Sequence, residues 1–117
     1  MGDYSFPKNE RLLDRASFLN LSRFGQKRET RYFIAAMLGA ESGTTRLGIT
    51  VSKRVGNAVE RNRIKRIVRD YYRLNRDLIS EDRDINIIAR KYVASLSNQE
   101  VRDELGKLFK KIVASDG

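Results

Sequence analysis

The side chains of this sequence best suited to chemistry are cations. The run RNRIKRIVRDYYR, residues 61–73, holds six positive charges and a single acid, Asp70. The chain contains neither histidine nor cysteine, so it lacks the commonest general base, the commonest metal ligand and any thiolate site. What it offers instead is fixed positive charge, the chemistry that meets a polyanion. Arginine outnumbers lysine in the run by five to one, and its planar fork suits two-point phosphate contacts and stacking on bases.

The charge is concentrated. Of the net +9, residues 53–76 supply +7, with Glu60 and Asp70 as their only acids. Residues 1–31 add +3, residues 32–52 balance, and residues 77–117 carry −1. A solvated helix face is the ordinary reading of a charge run, but such faces set acids three or four residues from their bases. Within 61–69 the bases follow one another at those spacings with no acid between, and the cost in self-repulsion points to a nucleic-acid surface. A membrane surface is the weaker reading, because the apolar side of the helix lacks the bulky set of an interfacial helix. No helix-turn-helix pattern, zinc module, heptad-backed basic region or RNP-type strand aromatics is present. Composition and spacing go no further than a polyanion.

The elements that must position these cations follow from periodicity. Ile64, Ile67, Val68 and Tyr71 recur at helical spacing, with Leu74 extending the stripe. At roughly 100° per residue, Lys65, Arg66, Arg69, Arg73 and Arg76 fall on the opposite side, with Asn62 among them. Upstream, a helix capped by Asp14 runs to Gly25 and turns Phe18 and Leu21 inward. RYFIAAML (31–38) reads as a strand, and RLGITVS (46–52) alternates as a second strand paired with it in a hairpin. DINIIAR (84–90) reads as a third strand. Ser97-Asn98-Gln99-Glu100 is a capping box opening a last helix with Val101, Leu105, Leu108, Phe109, Ile112 and Val113 on its buried side. The expected order is α-β-β-α-β-α, a single α+β domain over residues 1–117 with a small sheet and a basic central helix. Residues 1–11 are expected to be a flexible leader. At 117 residues, 40% apolar and 33% charged, the chain suits one domain with a real core. With no signal-like start and no apolar run of membrane length, the reading is a cytoplasmic protein without a membrane partner.

The stretch KRVGNAVERNRIKR (53–66) resembles the signature of the bacterial ribonuclease P protein component, an Arg-Asn-Arg run opening a basic helix. FPKNERLL followed by Ser17-Phe18, RLGITVSK (46–53) and IIARK (87–91) resemble that family's segments in the same order, over roughly residues 5–112. The resemblance implies a protein subunit that binds a catalytic RNA and the 5′ leader of precursor tRNA. The resulting ribonucleoprotein is a hydrolytic endonuclease of tRNA processing, which frees the mature 5′ end. Chemistry would lie with the RNA and its Mg²⁺, held mainly by the RNA subunit, so no protein side chain is assigned as catalytic or as a metal ligand. DNA is not an expected partner. A left-handed β-α-β crossover is likewise implied, against the right-handed rule.

From the same resemblance, Arg61, Arg63, Lys65, Arg66, Arg69 and Arg73 would meet RNA phosphates, and Lys53 and Arg54 would extend that surface. Asn62 either contacts a base or sugar or holds backbone at the helix start. Gly56 is read as turn geometry. Phe18 and Thr50 match the leader cleft, although Phe18 fits a core position equally well. Further cleft aromatics of relatives stand here as Ser22 and Ala36. Two rivals remain at this stage. One is a ribosomal-type RNA-binding protein with no processing role. The other is a protein-only nuclease using Asp70, Glu81, Asp82 and Asp84 around Mg²⁺.

Overall fold

Alternating apolar residues build a four-stranded sheet, and three amphipathic helices cover it. The structure is a computed structural model and describes residues 10–12, 14–40, 43–79 and 82–114. Chain order is α1 (Arg15–Phe24), β1 (Gln26–Glu29), β2 (Phe33–Gly39), β3 (Arg46–Thr50), α2 (Ala58–Asn75), β4 (Arg83–Ala89) and α3 (Asn98–Ala114). Single 3-10 turns follow α2 at Arg76–Leu78 and β4 at Val93–Ser95. The α+β class and the three expected strands are all present, and β1 is an addition. Its sequence, Gln-Lys-Arg-Glu, has no apolar alternation. It is a strand because it pairs with β2, not because of its own pattern.

The sheet order is β1-β2-β4-β3, which corrects the expected hairpin between 31–38 and 46–52. These two segments never pair with each other. β4 lies between them, antiparallel to β2 and parallel to β3. The physical reason is that β4 is nearly continuously buried and therefore takes a central place, paired on both edges. β3 carries Gly48 and Thr50 and takes an edge. The hairpin that does exist joins β1 to β2, closed by the Thr30 N–H donating to the Phe33 carbonyl at 2.8 Å.

One sheet face carries Phe33, Ala35 and Met37 from β2, Ile85, Ile87 and Ala89 from β4, and Leu47 from β3. This face packs under α2 and α3 as the main core. The other face is covered only in part, by Leu21 and Phe18 of α1 over Ala36, with Leu12 beside them. Asp14 caps α1 by accepting from the Ser17 amide (3.2 Å) and hydroxyl (2.7 Å). The hydroxyl bond is the main reason its carboxyl sits below the usual carboxylate range. The expected capping box of α3 is formed: Ser97 Oγ accepts from the Glu100 amide and Glu100 Oε1 from the Ser97 amide.

Of the leader expected over 1–11, residues 1–9 lie outside the described residues. Glu10 and Arg11 are held in place. The Leu12 amide donates to the Leu47 carbonyl at 2.9 Å, Arg11 bridges to Leu47, and Glu10 pairs with Arg76.

The fully buried stripe of α2 is Ile64, Ile67, Val68 and Tyr72; Tyr71 packs against the core as expected, Tyr72 is an addition, and the place expected for Leu74 is corrected. Tyr71 is half-buried, edge-on to Phe109 with ring centroids 4.9 Å apart. Leu74 is 68% exposed. Steps of four from Ile64 reach Val68 and Tyr72, while Leu74 has rotated off the buried arc. Tyr72→Ala is expected to cost about 3–5 kcal/mol by chemical denaturation, and Leu74→Ala less than about 0.5. Burial also pushes the Tyr72 phenol up to about 12. It therefore ionises more easily in the unfolded chain, and stability falls as pH rises through that interval. Tyr72→Phe should flatten that fall.

Candidate nucleic-acid interface

The basic helix owes its position to its first turn. The Asn57 side chain accepts from the Glu60 amide at 2.9 Å, and Glu60 Oε1 accepts from the Asn57 amide at 3.2 Å, a complete capping box. Glu60, an acid within the basic segment, is thus a structural group at a helix N-terminus, where negative charge is favoured. Gly56 makes this possible. A Cβ there would lie 2.5 Å from Glu60 Oε1 and 3.1 Å from Glu60 Cβ, so a larger residue would push that side chain away from the Asn57 amide.

The nine cations and amides expected to face RNA separate into two groups. Arg61 bends back and donates to the Gly56 carbonyl at 3.1 Å. Arg63 donates from Nη1 to Asn98 Oδ1 (2.7 Å) and from Nη2 to the Ala94 carbonyl (2.9 Å). It thereby ties α2 to the start of α3. Arg73 pairs with Asp70 at 3.2 Å, and its side chain is only 19% exposed. The other group is Lys53, Arg54, Asn62, Lys65, Arg66 and Arg69. None of these six side chains has a hydrogen-bond or ion-pair partner among the described residues. Asn62 stands exposed in the second turn of α2, while Asn57 holds the helix start. The backbone-holding reading of Asn62 therefore fails.

Beside these cations is a hollow of about 390 Å³, lined by Arg11, Leu12, Phe18, Leu47, Gly48, Ile49, Lys65 and Arg69. It runs over the β3 edge, with Phe18 of α1 on one side and two α2 cations on the other. Phe18 is both a core and a surface residue: half-buried against the α1 cluster, it still lines the hollow. Gly48 gives the ring its seat, since a Cβ there would lie 2.6 Å from Phe18 Cε1. Thr50 lies one pleat further along the same face and does not line the hollow. Its hydroxyl donates to Asn86 Oδ1 at 3.1 Å. Ser22 is exposed and Ala36 is buried beneath α1. Sequence reasoning missed Arg11, Leu12, Leu47, Gly48 and Ile49 as lining residues. The alternation of 46–52 put Gly48 on Thr50's face but gave no sign that Phe18 covers it.

The carboxylates of the nuclease rival are dispersed. Asp84 is clamped by Arg46 through two bonds of 2.7 and 2.8 Å, which also raise the arginine's proton affinity. Asp70 belongs to Arg73, Asp82 is exposed, and Glu81 lies outside the described residues. Among the described residues no three acids gather into a possible metal site.

Comparison with known proteins bears directly on this arrangement. The family model described as ribonuclease P matches residues 6–113. The ribonuclease P protein component of Desulforapulum autotrophicum is 84% identical over all 117 residues of both chains. That of Desulfatibacillum aliphaticivorans is 42% identical over 96% of this chain and 95% of its own. Among solved structures, the Staphylococcus aureus RNase P protein superposes with a TM-score of 0.82 at 30% identity, covering 86% of this chain and 93% of that one. The Thermotoga maritima RNase P protein gives a TM-score of 0.78 at 34% identity over 88% and 97%.

The division of the cations yields a direct test. Arg63→Ala should lower stability by about 1–2 kcal/mol through its lost tie to Ala94 and Asn98. Arg66→Ala, which breaks no described contact, should leave the melting temperature within about a degree of the parent. Thermal unfolding of the two variants side by side checks the division.

Proposed function

This chain belongs to the ribonuclease P protein family, and on that premise we propose that it works as the protein subunit of a tRNA 5′-processing ribonucleoprotein. In this reading it binds the catalytic RNA and the 5′ leader of precursor tRNA, and DNA is not a partner. The observation that carries the proposal is the continuity of the partner-free cations with the hollow. Lys65 and Arg69 line it opposite Phe18, while Arg66 and Asn62 stand exposed on the same helix. Phosphates would be neutralised along α2, with counterion release supplying most of the affinity. A base of an unpaired leader would rest on Phe18, a contact that tolerates many sequences. Thr50, bonded to Asn86, would act at the margin of that path. Lys53 and Arg54 would extend the positive surface beyond the N-terminus of α2. Arg61, Arg63 and Arg73 enter this reading chiefly as residues that hold α2 in place.

Mg²⁺ belongs to the proposal as an ion held mainly by the RNA. The described carboxylates of this chain do not converge as a donor set for it, and Asp84 and Asp70 are already bound by arginines. The protein's part is to bind, orient and screen charge. No helix among the described residues is long and apolar enough to cross a membrane; the cytoplasm as the place of work is part of the proposal. The family match leaves the ribosomal-type alternative without an observation in its favour.

Purified chain incubated with precursor tRNA and Mg²⁺ should produce the mature 5′ end only when the cognate RNA is added. At low Mg²⁺ it should accelerate that RNA. Correct cleavage by the chain alone would overturn the reading, as would failure to improve on the RNA alone. Arg66→Ala should weaken RNA binding and reduce the slope of log K against log salt by roughly one.

A further inference from the structure

Apart from the Phe18 hollow, a second concavity of about 340 Å³ is lined by Arg31, Tyr32, Arg90, Lys91 and Tyr92. Neither of its rings is consumed by the core. Tyr92 is 68% exposed, and Tyr32 is half-buried at the margin of the main core. Each carries a cation on one face: the Arg31 guanidinium lies 5.3 Å from the Tyr32 ring centroid, and the Lys91 ammonium 5.4 Å from that of Tyr92. The backbone fixes the two halves together, because the Arg90 amide donates to the Tyr32 carbonyl at 2.9 Å. Of the three cations, Arg90 is paired with Glu29. Arg31 and Lys91 have no acidic partner among the described residues.

Topology places this concavity at the cationic end of the domain. β3 and β4 are parallel, so Lys53 and Arg54, just after β3, and Arg90 to Tyr92, just after β4, leave the sheet at the same end. β2 is antiparallel to β4, which brings Arg31 and Tyr32, just before β2, to that end too. The Arg63 bond to the Ala94 carbonyl shows that the first turns of α2 lie against the segment that follows Tyr92. Paired rings with cations beside them are what an unpaired nucleotide requires: a π-surface for the base and positive charge for the phosphate.

We propose that this concavity holds an unpaired nucleotide of the bound RNA, its base stacked on Tyr92 and its phosphate met by Arg31 and Lys91. The proposal rests on the RNA-binding reading above and adds a second contact to it. The nucleotide belongs either to the catalytic RNA or to the precursor's leader, and the chemistry is the same in both.

The test measures the full chain's affinity for the cognate catalytic RNA. It also measures the assembled holoenzyme's affinity for precursor tRNA with and without a leader. The variants are Tyr92→Ala, Tyr92→Phe, Lys91→Gln and, as a reference on α2, Arg66→Ala. Tyr92→Ala should weaken binding roughly 5- to 100-fold with an unchanged salt slope. Tyr92→Phe should restore it to within about twofold, and Lys91→Gln should make the slope shallower by about one. A loss already seen with the catalytic RNA assigns the nucleotide to that RNA. A loss confined to leader-bearing precursor assigns it to the leader. If Tyr92→Ala binds every RNA as the parent does while Arg66→Ala weakens, the stacking site is refuted and the RNA-binding reading stands. If the unsubstituted chain binds none of these RNAs, both fail together.

Discussion

The parallel pairing of β3 with β4 is the constraint on which the rest of this structure depends. Parallel neighbours cannot be joined by a tight turn, so the chain between them must cross over the sheet. α2 is that crossing. It must therefore bury one side against the main core and leave the other in water, and the sequence divides its residues accordingly. Ile64, Ile67, Val68 and Tyr72 are buried, while Lys65, Arg66 and Arg69 are turned away. The pairing also fixes which loops share an end of the sheet. Placing the cations of α2 beside Phe18 and the aromatic concavity near Ala94 are both consequences of strand direction.

A concentrated positive field repels itself, and the domain limits that cost locally. Toward the C-terminal end of α2, acids engage the cations: Asp70 takes Arg73 and Glu10 takes Arg76. At the N-terminal end, backbone carbonyls and Asn98 take Arg61 and Arg63. Within residues 53–76, the middle of the helix and the turn before it are what keep cations with no partner among the described residues. The exposed charge is thus narrower than the sequence run, and it is centred where the hollow opens.

Much of this was legible in the sequence, for identifiable reasons. Strongly periodic segments showed themselves: the Asp14 cap, the Ser97 capping box and the Ile64, Ile67, Val68 stripe all rest on local rules that tertiary contacts did not override. The sheet order was not legible, because alternation in 46–52 states that a strand exists and not which neighbour it takes. β1 gave no signal, since four polar residues become a strand only through β2. Tyr71 and Tyr72 are adjacent, and which ring enters the core depends on α3, where Gly106 lies near the Tyr71 hydroxyl. Arg63 was indistinguishable from Arg66 by type, and its structural duty depends on a carbonyl 31 residues away. The Phe18 seat on Gly48 is likewise a contact between distant segments that no spacing rule encodes.

The position of β4 also has a consequence for synthesis. The strand that joins the two halves of the sheet is the last of the four to leave the ribosome. When Thr50 has emerged, the β1–β2 hairpin has all its residues, but β3 has no partner to lie against until Arg83–Ala89 follow. α2, complete at Asn75, must wait with its apolar side uncovered, and α3 comes later still. Pairings of such long sequence separation form slowly. The nascent chain therefore displays its cations before it has the core that orients them, and a working surface exists only after β4 and α3 have followed α2.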